Sequence, residues 1–268
     1  AFKVMPQYMD IAVNLIDNSL EKDIQRVVDD AKQRDVTSMV VIGSHLEESQ
    51  HAMTLCQQFP EQLFSTAGVH PHHASEWNLD SVNAIRQLAT SPCVVAIGEC
   101  GLDYNRDFSP RDIQRQVFAD QLALAVELNM PVLMHERDAH ADFLAILKEY
   151  RPQLPAALLH CFTGNKASLE AYIEQDLYLG VTGWVCDERR GQELASIVPL
   201  IPNERILIET DSPYLIPRSM RPKPKSSKNE PKYLPYIAQY IADLKQQPLE
   251  LFAGQTYFNS RTFFGLDN

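Results

Sequence analysis

The sequence predicts an α/β fold of the (β/α)8, TIM-barrel class, and three observations carry that expectation. Eight short apolar runs with strand character recur along the 268 residues. Segments of helical spacing lie between them, so the chain alternates strand and helix with a unit of roughly thirty residues. Four potential metal ligands, Glu99, His135, His160 and Asp211, each close one of the runs. In a barrel of parallel strands, the C-terminal strand ends form the edge on which chemistry is built.

The runs, in order, are YMDIAVN (8–14), SMVVIG (38–43), LFSTAGVH (63–70), VVAIGE (94–99), PVLMH (131–135), AALLH (156–160), LYLGVTG (177–183) and RILIETD (205–211). Between the fourth and fifth, residues 114–129 place Val117, Phe118, Leu122, Ala125 and Leu128 on one broad helical face. Residues 168–176 and 191–201 carry shorter helical patterns. No G-x-G-x-x-G follows the first strand, which removes the main support for a doubly wound open sheet. Neither a composition break nor an internal repeat divides the chain, so one domain over residues 1–268 is expected.

One segment departs from the alternation. Residues 217–232 contain Arg218, Arg221, Lys223, Lys225, Lys228 and Lys232 against the single acid Glu230. Prolines at 217, 222, 224 and 231 exclude regular structure there. The segment reads as a long basic loop leaving the eighth strand, either gripping an anionic substrate or simply solvated.

Composition limits the function classes. The net charge of -11 disfavours sequence-independent coating of duplex nucleic acid, which depends on phosphate neutralisation. It leaves room for an enzyme that grips a few phosphates locally. No apolar run approaches the ~20 residues of a membrane span, and the start AFKVMPQYMD lacks the charged-then-apolar order of a secretory signal. Five cysteines, an odd number without a C-x-x-C pair, argue for a reducing compartment. A soluble, cytoplasmic protein is expected.

Two imidazoles and two carboxylates together suit divalent metals from Mg²⁺ to Zn²⁺. Such an ion polarises a phosphoryl or carbonyl oxygen and lowers the pKa of a water. Singly, a histidine at a strand end is more often just hydrogen-bonded, and a carboxylate there equally caps a helix. The joint pattern is what points to a metal.

The stretches STAGVHPHH (65–73), VVAIGECGLDYNRDFSP (94–110), LNMPVLMHERDA (128–139), LLHCFTGN (158–165), YLGVTGWV (178–185), IETDSPYLIPR (208–218) and KNEP (228–231) together resemble the TatD family of metal-dependent deoxyribonucleases. The resemblance spans nearly the whole chain. It implies a TIM barrel and Mg²⁺-dependent 3′→5′ trimming of single-stranded DNA or RNA ends. It assigns Glu99, His135 and His160 as metal ligands, with Asp211 as both ligand and catalytic carboxylate. It favours His70 as a substrate-binding residue. Arg137 reaches either a phosphate or the neighbouring Asp138 or Glu136, and Lys228 joins the substrate set from the basic loop. The resemblance also makes a monomer the expected state.

Many relatives open with D-x-H-x-H on strand one, whose histidines bind one metal of a pair. Here that stretch is Asp10-Ile11-Ala12-Val13-Asn14. Ala12 cannot coordinate, and Asn14 offers a neutral amide. A site richer in oxygen favours hard Mg²⁺ or Mn²⁺ over Zn²⁺, and one well-held ion is expected, with a second held weakly. His72 and His73 are expected on a solvated loop. Asp103 reads as a partner of a ligand or as a turn residue. Tyr104, Trp184 and Tyr214 follow strand ends, where rings either stack on bases or pack in the core. The rival activity is a small-molecule amidohydrolase or lactonase, which usually relies on the missing strand-one histidines. A non-catalytic binding protein is the other alternative, opposed by the presence of all four remaining site residues.

Overall fold

The computed structural model describes residues 6–266, so the first five residues of the stretch inspected for a leader lie outside it. All eight apolar runs form strands of one sheet whose order follows the chain. They are β1 (Tyr8–Val13), β2 (Val36–Val41), β3 (Leu63–Ala67), β4 (Val94–Asp103), β5 (Val132–Arg137), β6 (Ala157–Leu159), β7 (Tyr178–Val181) and β8 (Ile206–Ile208). The ladders β3–β4, β4–β5, β5–β6 and β7–β8 are parallel. The first and last strands meet: the Asp211 N–H donates to the Ala12 carbonyl at 3.0 Å and the Asn14 N–H to the Ser212 carbonyl at 2.9 Å. The eight strands form a barrel with helices, as the alternation predicts.

The helices are α1 (Asn18–Glu21), α2 (Ile24–Gln33), α3 (Leu46–Gln57), α4 (Ser81–Leu88), α5 (Arg111–Leu128), α6 (His140–Tyr150), α7 (Lys166–Glu174), α8 (Gln192–Ile197), α9 (Leu234–Leu244) and α10 (Leu249–Phe263). On α5, Val117, Phe118, Leu122 and Ala125 are buried as their spacing predicts, while Leu128, on the same expected face, is only half-buried. None of the described helices is long and apolar enough to cross a membrane.

Backbone contacts group the chain into two units. One runs to Val40, resumes over Cys161–Leu169 and continues from Leu179; it carries β1, most of β2 and β7, and β8. Its core is built where α9 and α10 cover β1 and β8, with Ile237, Ile241 and Phe252 buried. The other unit, Val41–His160 and Glu170–Tyr178, carries β3 to β6 with α3 to α6. There Phe118 stacks on Phe143 with ring centroids 5.1 Å apart, and Tyr172 meets Phe143 edge-on.

One strand differs from its sequence reading. The fourth run was expected to end at Glu99, yet β4 continues to Asp103. The pairing with β5 slips at this point: Gly98 faces Leu133 and Cys100 faces Met134, so Glu99 is the extra residue of a bulge. Bulges re-aim side chains beside functional sites. The strand survives past Glu99 because Gly101, at φ 149°, tolerates an approach in which any Cβ would lie 1.8 Å from the His135 carbonyl oxygen.

Candidate metal centre

The bulge turns the Glu99 carboxylate into a buried position, while its N–H donates to the Gly43 carbonyl at 3.0 Å. His135 lies in β5, opposite Gly101. His160 follows β6, with its N–H on the Met134 carbonyl at 3.0 Å. Three backbone anchors thus aim three side chains at one place within the β3–β6 unit. His160 Nε2 hydrogen-bonds Glu99 Oε2. His135 Nδ1 stands 3.7 Å from the same oxygen, and His70 Nε2 stands 4.0 Å from Oε1. The candidate ligand atoms of His70, Glu99 and His135 all lie within 4.8 Å of one another.

Burial opposes charge on Glu99, but the imidazoles of His160, His70 and His135 outweigh it and hold the carboxyl well below the usual range. A buried, ionised carboxylate facing imidazole nitrogens is a donor set that fits a divalent cation. His70 is different in kind. Its Nδ1 accepts the His72 backbone N–H at 3.0 Å, so the neutral ring carries its proton on Nε2. Burial pushes this imidazole down to about 3, so it is neutral near pH 7. Its inward nitrogen is a hydrogen-bond donor, suited to an anionic oxygen more than to a metal.

Asp103, at the end of β4, is the partner that the sequence left undecided. One oxygen, Oδ2, lies 3.0 Å from His135 Nε2 and 3.2 Å from His72 Nε2. Holding Nε2–H of His135 leaves its Nδ1 lone pair toward Glu99, the arrangement by which outer carboxylates fix a ligand's tautomer. His72, expected in a solvated loop, instead packs edge-on against His70 at 4.3 Å. His73 pairs with Glu76 at the surface.

Sequence reasoning missed two buried amides that set this geometry. Gln114 and Gln121 lie seven residues apart, two turns of α5, and both are buried. Gln121 Oε1 accepts the Val69 N–H at 2.8 Å while its Nε2 donates to the Val69 carbonyl at 3.0 Å, clamping the residue before His70. Gln114 clamps Asp103 in the same way, at 2.9 and 3.1 Å.

Asp211 belongs to the other unit, just beyond β8, with a left-handed backbone (φ 54°) that Asp tolerates better than most residues. Its Oδ1 accepts from Asn14 Nδ2 at 3.1 Å, and the same amide donates to the Ser212 carbonyl at 3.1 Å. Asn14 therefore presents its nitrogen, not its oxygen, and supports a carboxylate. Asp10 is fully buried and accepts the Thr210 N–H at 2.9 Å and the Thr210 hydroxyl at 2.5 Å. Burial pushes its carboxyl up to about 8. Glu209, unremarked in the sequence, is fully buried and accepts the Cys161 N–H at 3.2 Å.

The remaining candidates separate. Arg137 is exposed, and its guanidinium forms no ion pair among the described residues, for Glu136 accepts from Tyr172 and Asp138 from Asn105. Lys228 is committed locally, its ammonium donating to the Ser19 carbonyl at 2.8 Å. Tyr104 hydrogen-bonds Asp142 and lies under Arg111. Tyr214 is 56 % exposed.

The sequence matches the profile of TatD related DNases over residues 9–265. The chain belongs to that family. It is 51 % identical over 257 residues to the 3′-5′ ssDNA/RNA exonuclease TatD of Erwinia amylovora, covering 96 % of this chain and 99 % of that one. The protein of the same name from Erwinia tasmaniensis is 50 % identical with the same coverage. The crystal structure of YjjV, a TatD homolog from Escherichia coli, superposes with a TM-score of 0.88 at 22 % identity, covering 97 % of this chain and 98 % of that one. The crystal structure of guanine deaminase from C. acetobutylicum superposes with a TM-score of 0.59 at 11 % identity, covering 97 % of this chain and 73 % of that one. That likeness speaks for the barrel fold alone.

Proposed function

We infer that this chain is a metal-dependent exonuclease that removes nucleotides from the 3′ ends of single-stranded DNA or RNA. The observation that carries the inference is 51 % identity over nearly the full length of both chains to a relative bearing that activity in its name. The buried Glu99 carboxylate facing His135 and His160 is its chemical counterpart.

In this reading Glu99, His135 and His160 hold the ion, with Asp211 completing the set from the end of β8. Mg²⁺ is the favoured ion, Mn²⁺ or Zn²⁺ being the alternatives, because the strand-one imidazoles are replaced by Ala12 and Asn14. When bound, the ion supplies Lewis-acid polarisation of the scissile phosphate and acidifies a water. Asp211 orients the attacking water and accepts its proton. Asn14 fixes the rotamer in which Asp211 does so. His70 donates from Nε2 to a phosphate oxygen, where its neutral, pre-protonated ring costs no reorganisation. Arg137, exposed at the end of β5, offers a second phosphate donor, and Lys228 steadies the basic loop against α1. As water oxygen bonds to phosphorus, the bond to the leaving nucleotide oxygen breaks and that oxygen takes up a proton.

The test is hydrolysis of a single-stranded oligonucleotide with Mg²⁺, set beside panels of amides and lactones. Glu99→Gln and Asp211→Asn should each lower kcat by on the order of a thousandfold. Near-native rates in either variant, or turnover confined to the amide or lactone panel, would overturn the reading.

A further inference from the structure

Next to Asp211, and outside the ligand cluster, lies a groove that the chemistry above leaves unused. Tyr214 is placed by its N–H on the Asp211 carbonyl at 3.0 Å, one turn from the proposed catalytic carboxylate, with its ring 56 % exposed. A cavity of about 360 Å³ opens beside it, walled by Trp184, Arg190 and Arg218. A second, of about 290 Å³, continues from Arg218 past Lys223 and Lys225. The two share Ile216, Arg218 and Ser227, so they form one continuous trough.

The trough is built, and the loops after β7 and β8 are its two walls. They touch backbone to backbone at Gly183, where a Cβ would lie 2.5 Å from the Leu215 carbonyl oxygen. Trp184 is fixed by its N–H on Thr182 Oγ1 at 3.2 Å. Arg190 lies over the Trp184 ring with its guanidinium 4.3 Å from the centroid. Asp187, only 4 % exposed, orients Arg190 and Arg189 together through contacts of 3.0 and 3.1 Å, while each guanidinium remains about half exposed. A planar guanidinium held by a buried carboxylate keeps its outward N–H groups aimed at an anion. Glu188, itself exposed, pairs with Arg218 at 2.6 Å at the surface of the trough. Of the basic loop, Lys223 and Lys225 are exposed at the far end of the trough.

An exposed aromatic ring followed by a row of cations matches a single nucleic-acid strand, whose bases offer free π faces and whose phosphates recur along it. A duplex hides those faces. We propose that this trough binds the single strand upstream of its 3′ end, the base next to the scissile bond stacking on Tyr214 and the following phosphates lying on Arg190, Arg218 and the Lys223–Lys225 segment. The proposal rests on the exonuclease reading, since it gives the trough the strand that remains after each cleavage. It also explains how a chain of net charge -11 grips a polyanion: Arg190, Arg218, Lys223 and Lys225 gather along one channel.

The test separates the two readings by measuring binding without turnover. A 5′-fluorescein dT12 strand is titrated with the full chain in the presence of chelator, and anisotropy gives Kd. Tyr214→Ala and Arg190→Glu are each expected to weaken binding about tenfold, the loss of one stacked base or one phosphate contact. An abasic strand and a duplex of equal length are expected to bind at least about tenfold more weakly than dT12. Because Arg190→Glu sets a second carboxylate against Asp187 and removes the cation from the Trp184 ring, the double variant Lys223→Glu/Lys225→Glu, on exposed residues, repeats the measurement with an intact wall. Wild-type affinity in Tyr214→Ala and in the lysine double variant, or equal affinity for the abasic strand, would overturn the proposal. Failure of the exonuclease reading shows elsewhere, as an absence of cleavage when the wild-type chain meets the same strand with Mg²⁺.

Discussion

Asp103 decides which nitrogen of His135 faces Glu99, and that choice is a property of one oxygen shared between His135 and His72. Replacing it with Asn puts an amide where the carboxylate accepted, which frees the imidazole to adopt the wrong tautomer. Asp103→Asn should weaken Mn²⁺ binding, followed by calorimetry, by roughly ten- to a hundredfold; unchanged affinity would reduce Asp103 to a turn residue. Asn14 makes a parallel case on the other unit. Its amide holds Asp211 at 3.1 Å, so Asn14→Ala should lower kcat about tenfold on a short oligonucleotide while KM changes little. A rise in KM alone would show that Asn14 serves binding instead. The sequence made Glu99, His135 and His160 legible because each stands at a polarity break in an apolar run. It made Asn14 legible only as a lost ligand, since nothing in residues 10–14 shows that Asp211, some two hundred positions on, will face its amide.

At the scale of elements, α5 does more than cover the sheet. Its apolar spacing was readable, because Val117, Phe118, Leu122 and Ala125 follow helical periodicity onto one face. The two glutamines on the buried side were not, because an amide in a helix reads as surface until its partners are known. Gln121→Leu keeps the volume near constant and strands the Val69 N–H and carbonyl without partners. It should destabilise the protein by about 2 kcal/mol or more, read as a lowered Tm, and raise KM by loosening His70. A neutral effect on both would show that the clamp is dispensable. The extension of β4 beyond Glu99 was hidden for a related reason: E-C-G-L-D carries two features, a carboxylate and a glycine, that usually end strands. Here the glycine permits the strand to continue against His135, and the carboxylate occupies the bulge.

For the whole molecule, closure of the barrel depends on β1 meeting β8, and Asp10 is buried at that seam with Thr210. Burial raises its carboxyl to about 8, whereas an unfolded Asp titrates near ~3.9. The folded state therefore keeps a proton that the unfolded state gives up. The contribution of Asp10 to stability is complete below about pH 4 and is lost progressively as pH rises toward 8. Thermal unfolding followed from pH 5 to 8 should show a decline that Asp10→Asn flattens; parallel curves for the two proteins would contradict this account of the seam. The central claim concerns the reaction itself. It is tested most directly by one single-stranded oligonucleotide labelled separately at its 5′ and 3′ ends, incubated with the wild-type chain and Mg²⁺. The 5′ label should move through a ladder of shortening strands while the 3′ label is released at once as the smallest product, and chelator should stop both. Release of the 5′ label first, or cleavage that continues in chelator, would contradict a metal-dependent enzyme working from the 3′ end.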